Sequence, residues 1–92
     1  MICFCPYCGK PLQKPLNNGV SFCEKCSRTI VSTKENELLS SYRILTSKVF
    51  NNENQLKSAL KIDPDDFEFI KSCADEGLSM DEFTKYLKSK IA

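Results

Sequence analysis

The sequence predicts a small α+β fold in two parts, a metal-stapled β module over residues 1–33 followed by a helical module over residues 34–92. Three observations predict it. Two Cys-x-x-Cys pairs, Cys5/Cys8 and Cys23/Cys26, stand near the N-terminus with fourteen residues between them. From Ser32 onward, short β-prone runs give way to apolar residues at helical spacing. Beyond Ile62, helix-capping residues bracket two further segments of helix length.

A chain of 92 residues can build one compact domain, or a stapled module beside a small helical one, but not a deep catalytic cleft. Its 41% hydrophobic content and lack of low-complexity runs place it among globular proteins. No stretch approaches the roughly 20 apolar residues of a membrane span, and the N-terminus lacks a secretory pattern. The expected location is the cytoplasm, with no membrane partner. In that reducing compartment, paired Cys-x-x-Cys spacings read as a metal site rather than as disulfides.

In the β module, Val20-Ser21-Phe22 and Thr29-Ile30-Val31 are the strand candidates, and Asn18-Gly19 reads as a hairpin turn. Pro6, Pro11 and Pro15 punctuate the segment as turns would. Each Cys-x-x-Cys turn aims two sulfurs at one point, so Cys5, Cys8, Cys23 and Cys26 complete a tetrahedron around one zinc ion. Catalytic zinc keeps a coordination position open and usually takes histidine, and this chain has no histidine. The expected zinc is therefore structural, and no enzyme is expected. Gly9 follows the first knuckle where a positive φ lets backbone amides face the sulfurs; Ser27 holds the matching place in the second. Cys3 reads as a free thiol, because Cys5 supplies the two-residue gap of a knuckle, and Cys73 reads as a small buried hydrophobe.

The first helix is expected from about Lys34 to Phe50, with Ser32 and Glu35 as a capping box and Leu38, Tyr42, Leu45 and Val49 as its apolar stripe. Residues 56–62 fit two periods, a helix through Leu56, Ala59 and Leu60 or a strand face through Leu56, Ser58, Leu60 and Ile62. Asp63, Pro64 and Gly77 bracket the next helix, whose face is Phe67, Ile70 and Ala74 with Cys73 beside them. The last begins at Ser79 with Glu82 completing a capping box and Leu78 and Phe83 as a hydrophobic staple; its face is Phe83, Tyr86, Leu87 and Ile91.

Charge is uneven. Residues 1–34 carry Lys10, Lys14, Lys25, Arg28 and Lys34 against Glu24, a balance of +4 that four thiolates and a divalent zinc reduce to +2. Residues 63–92 carry eight acids and four lysines, a balance of −4. The basic signal is thus modest and lies in the first module.

The run Phe4-Cys5-Pro6-Tyr7-Cys8-Gly9-Lys10-Pro11-Leu12, with Phe22-Cys23-Glu24-Lys25-Cys26 behind it, resembles the N-terminal zinc ribbons of small RNA polymerase subunits and transcript-cleavage factors. The match covers about 30 residues and speaks to fold more than to role, since one fold hosts many functions. The second, acidic-hairpin ribbon that carries cleavage in those factors has no counterpart, so cleavage is not implied. Residues 56–91 show a weaker similarity to ribbon-helix-helix DNA-binding domains, which would make Lys57, Ala59 and Lys61 the outward face of an intermolecular ribbon. A plain helical hairpin accounts for the same capping residues.

Two functions follow as expectations. One is a non-enzymatic regulator binding the transcription machinery, with RNA polymerase as partner, or nucleic acid, through Lys10, Lys25 and Arg28 near Tyr7 and Phe22. The other is an adaptor or inhibitor whose acidic helical half docks on a partner protein while zinc stiffens the scaffold.

Overall fold

The computed structural model describes residues 2–48 and 50–91. Strand β1 (Ile2–Phe4) pairs antiparallel with β2 (Pro11–Leu16), and β3 (Val20–Cys23) with β4 (Arg28–Val31). These make two separate two-stranded sheets, each with a cysteine knuckle at its tip. The Asn18-Gly19 signal therefore needs correcting. It links β2 to β3, which are not ladder partners, and Gly19 supplies the positive φ of 78° at that link.

Helix α1 (Lys34–Ser47) starts at Lys34 as expected, but its cap is not Ser32. Thr33 is the N-cap, accepting from the Asn36 backbone N–H at 3.1 Å, while the Ser32 hydroxyl donates to the Asn17 carbonyl at 2.9 Å. The helix also stops short of Phe50, because Lys48 turns left-handed at φ 57°. Asn52 then caps α2 (Glu53–Leu60), its side chain accepting from the Asn54 N–H at 2.7 Å. Leu56 and Leu60 are both buried, one helical turn apart, which settles the two-period ambiguity in favour of a helix. The strand needed by the ribbon-helix-helix similarity is thus replaced by α2: Lys57 lies over the Phe67 ring at 5.0 Å, and Lys61 is the left-handed C-cap.

Helices α3 (Pro64–Asp75) and α4 (Met80–Ile91) form a hairpin closed by Gly77 at φ 78°. The capping box is reciprocal, Ser79 N–H donating to Glu82 Oε1 and Glu82 N–H to Ser79 Oγ, both at 3.2 Å. α1 packs on both helices. At the centre, Tyr42 stacks on Phe83 with centroids 3.9 Å apart, and its hydroxyl donates to the Leu78 carbonyl at 2.6 Å. Leu38, Ile44, Leu56, Leu60, Phe67, Ile70, Cys73 and Leu87 complete this core. Of the expected face positions, Leu45 is half-buried and Tyr86 is largely exposed, while Val49 and the side chain of Ile91 lie outside the described residues.

A second core joins Ile2, Leu16 and Ile30 to Cys5 and Cys23. The two cores meet through β1, which packs on α1 and α2, with Phe4 against the helical core and Arg43 Nε donating to the Pro6 carbonyl at 3.2 Å. Among the described residues no helix is long and apolar enough to cross a membrane.

Candidate metal centre

Backbone conformation shapes both knuckles. The Gly9 N–H donates to the Cys5 carbonyl and the Cys5 N–H to the Lys10 carbonyl, both at 2.9 Å, and the Tyr7 N–H points at Cys5 Sγ from 3.4 Å. Gly9 has φ 81° and Ser27 φ 55°, so the matched positions share the left-handed conformation expected of them. Gly9 is also confined by packing, since a Cβ there would lie 3.3 Å from Arg43 Cδ.

The two hairpins bring Cys5, Cys8, Cys23 and Cys26 together with their sulfurs all within 4.8 Å of one another. Cys5 and Cys26 are 3.7 Å apart and Cys8 and Cys23 3.5 Å. A tetrahedral tetrathiolate site with metal–sulfur bonds of about 2.3 Å has edges of about 3.8 Å, whereas a disulfide needs about 2.05 Å. The separations fit four sulfurs around one metal ion. Cys3 stands apart, half-buried in β1, and Cys73 lies in the helical core, where burial pushes its thiol up.

The thiols are electrostatically unequal. The Cys26 backbone N–H holds the Cys23 thiol down at about 6, while burial and neighbouring sulfurs push Cys26 up to about 12. At Cys8 the Lys10 backbone N–H pulls down, yet burial and the Cys23 thiol outweigh it and the net shift is upward. One thiolate forms readily in this cluster. Further ones need a cation to offset their mutual repulsion, which is the chemistry of a closed thiolate metal site.

The expected basic residues surround the knuckles. Lys10 follows the first, Lys25 is exposed within the second, and Arg28 opens β4 with its guanidinium 5.0 Å from the Tyr7 ring centroid, joining the two knuckles by a cation–π contact. Lys34 is drawn away by an ion pair with Asp66 of α3. Phe22 is exposed, 57%, as expected beside the basic residues; what composition and spacing left unseen is that Val20, 66% exposed, and Val31, 45%, share its face of β3–β4. Alternation along β3 and β4 carried that signal, since Ile30 and Cys23 point inward on the opposite face.

Fold and donor set together define a small α+β protein with four cysteine thiols placed to hold one metal ion. No family model, curated protein or solved structure matches the chain.

Proposed function

We propose that this chain is a non-enzymatic zinc-ribbon regulator that binds the transcription machinery, or nucleic acid, through its ribbon. One observation carries the reading: of the large apolar side chains exposed among the described residues, Tyr7, Val20, Phe22 and Val31 belong to the ribbon and only Tyr86 to the helices. Solvated apolar side chains on the module that carries Lys10, Lys25 and Arg28, with Tyr7 against Arg28 and Phe22 in one groove with Lys10, are the composition of a contact surface. Zinc is the metal that four thiolates at these separations suit best, and its part is to hold the hairpins together. The apolar face and the modest basic balance favour a protein, such as RNA polymerase, over phosphates as the main partner. On the helical half, Asp66 is paired with Lys34 and Glu53 with Lys71, and Asp65, Asp81 and Glu82 lie in first helical turns, where the helix dipole accounts for them.

The test is direct. Native mass spectrometry should find one zinc per chain, and surface plasmon resonance should detect binding to RNA polymerase from the source cell, weakened by Lys25→Glu with Arg28→Glu. A zinc-free native chain, or polymerase binding indifferent to those changes, would sink the reading.

A further inference from the structure

The ribbon contains a sheet edge that no strand among the described residues completes. β3 pairs with β4 on one side only, and β2, its neighbour in sequence, belongs to the other sheet. Between them runs a groove of about 290 Å³, lined by residues from Lys10–Lys14 and Ser21–Glu24.

The register decides which backbone groups face it. Ser32 N–H donates to the Gly19 carbonyl at 3.0 Å, continuing the β3–β4 ladder in which Val20 pairs with Val31 and Phe22 with Thr29. Hydrogen-bonded and non-hydrogen-bonded pairs alternate in an antiparallel ladder, so Ser21 and Cys23 bond to β4 while Val20 and Phe22 do not. The N–H and C=O groups of Val20 and Phe22 therefore point away from β4, toward the open edge. They are spaced two residues apart, as a strand adding there requires.

We propose that the open edge of β3 is a strand-docking site for an extended segment of a partner protein bearing acidic side chains beside apolar ones. The charge of the groove selects that occupant. Lys10 and Lys14 line it, neither has a carboxylate partner among the described residues, and Glu24 is the one acid in the lining. Successive residues of an added strand point to opposite faces, so acidic residues can meet the lysines while apolar neighbours pack on exposed Phe22. A second copy of this edge would oppose lysine to lysine. Single-stranded nucleic acid would satisfy the lysines but leave the strand-addressed backbone groups without a ladder. The inference rests on the ribbon being the contact surface and goes beyond it by naming the segment that is read.

The zinc-loaded, isotope-labelled full chain is titrated with a capped ten-residue peptide of alternating Glu and Val, its Lys-Val counterpart and a ten-nucleotide oligothymidine, at about 150 mM salt. The Glu-Val peptide should shift the Val20 and Phe22 amide resonances and slow their hydrogen exchange by about tenfold or more at saturation. Lys14→Glu should weaken that binding about tenfold, as should Val20→Pro, which removes an outward N–H and no internal ladder bond. Should Val20→Pro fail to retain zinc, Phe22→Ser and Lys14→Glu decide the matter. No shift at millimolar peptide, equal binding of the Lys-Val peptide, tighter binding of the oligonucleotide, or concentration-dependent self-association through these amides would each overturn the proposal. Polymerase binding lost on Lys25→Glu with Arg28→Glu yet retained by Lys14→Glu and Phe22→Ser overturns the edge site alone. Peptide docking without polymerase binding supports the edge site and removes the regulator reading.

Discussion

Gly9 and Ser27 follow the last cysteine of their knuckles, and both hold positive φ, 81° and 55°. A side chain at such a position costs about 1 kcal/mol relative to glycine, part of which is offset because glycine also loosens the unfolded chain. Ser27→Gly should therefore stabilise the ribbon by about 0.5–1 kcal/mol. If the four-thiol site takes zinc as proposed, metal binding is linked to ribbon folding and should tighten about two- to fivefold. The converse change is worse. Gly9→Ala adds a Cβ 3.3 Å from Arg43 Cδ, and Arg43 cannot retreat freely while its Nε donates to the Pro6 carbonyl. Backbone strain and displacement of that contact together predict a loss of about 1–2 kcal/mol, or five- to thirtyfold in zinc affinity. Competition against a chromophoric chelator at fixed pH measures both. Weaker zinc binding by Ser27→Gly, or unchanged binding by Gly9→Ala, would refute the account of the knuckles.

Replacing any of Cys5, Cys8, Cys23 or Cys26 with Ser should abolish stoichiometric zinc binding, whereas Cys3→Ser and Cys73→Ala should retain it, as native mass spectrometry can establish. Acid should release the metal. Cys26, held at about 12, and Cys8, raised above 9.0, are protonated at neutral pH in the metal-free chain and must each lose a proton to ligate. Apparent zinc affinity should thus fall by about a hundredfold or more per pH unit lowered below 8, read by the same chelator competition. Tyr42→Phe should cost about 1–3 kcal/mol in urea denaturation, because it strips the Leu78 carbonyl of its donor inside the core while leaving the Phe83 stack. Chelation should unfold the ribbon while preserving most of the helical circular dichroism signal, since the helical core contains none of the four clustered cysteines.

The metal centre was legible because its information is local: two short spacings dictate where four sulfurs go, and Gly9 announces the backbone that serves them. Strands β3 and β4 and the α3–α4 hairpin were legible for the same reason, through β-prone runs, Pro64, Gly77 and the Ser79–Glu82 box. β1 and β2 were not, because Pro11 and Pro15 read as turns; proline is tolerated in β2 since a two-stranded sheet has only edge strands. Adjacent Ser32 and Thr33 can both cap a helix, and the choice depended on the distant Asn17 carbonyl taking the Ser32 hydroxyl. Leu56 and Leu60 satisfy a helix and a strand alike until packing chooses. Nothing in the spacing pointed to Arg43 gripping the first knuckle.

That grip makes the two hairpins unequal. β1 is built into the helical module through Phe4, Arg43 and its packing on α1 and α2, so the first knuckle has support independent of the metal. The second hairpin is tied to α1 by Asn36 Nδ2 donating to the Val31 carbonyl at 2.7 Å, and within the ribbon by the shared small core, the Arg28–Tyr7 contact, the Ser32–Asn17 bond and the four sulfurs. Two of those sulfurs belong to Cys5 and Cys23, which are themselves core residues, so losing the metal removes ligation and packing order at once. Loss of the metal should therefore loosen this hairpin, which bears Val20, Phe22 and Val31, before the first. If the ribbon is the contact surface and holds zinc as proposed, metal occupancy should tune binding with no chemistry at the metal itself, because the four sulfurs fix the β3–β4 hairpin against the first knuckle.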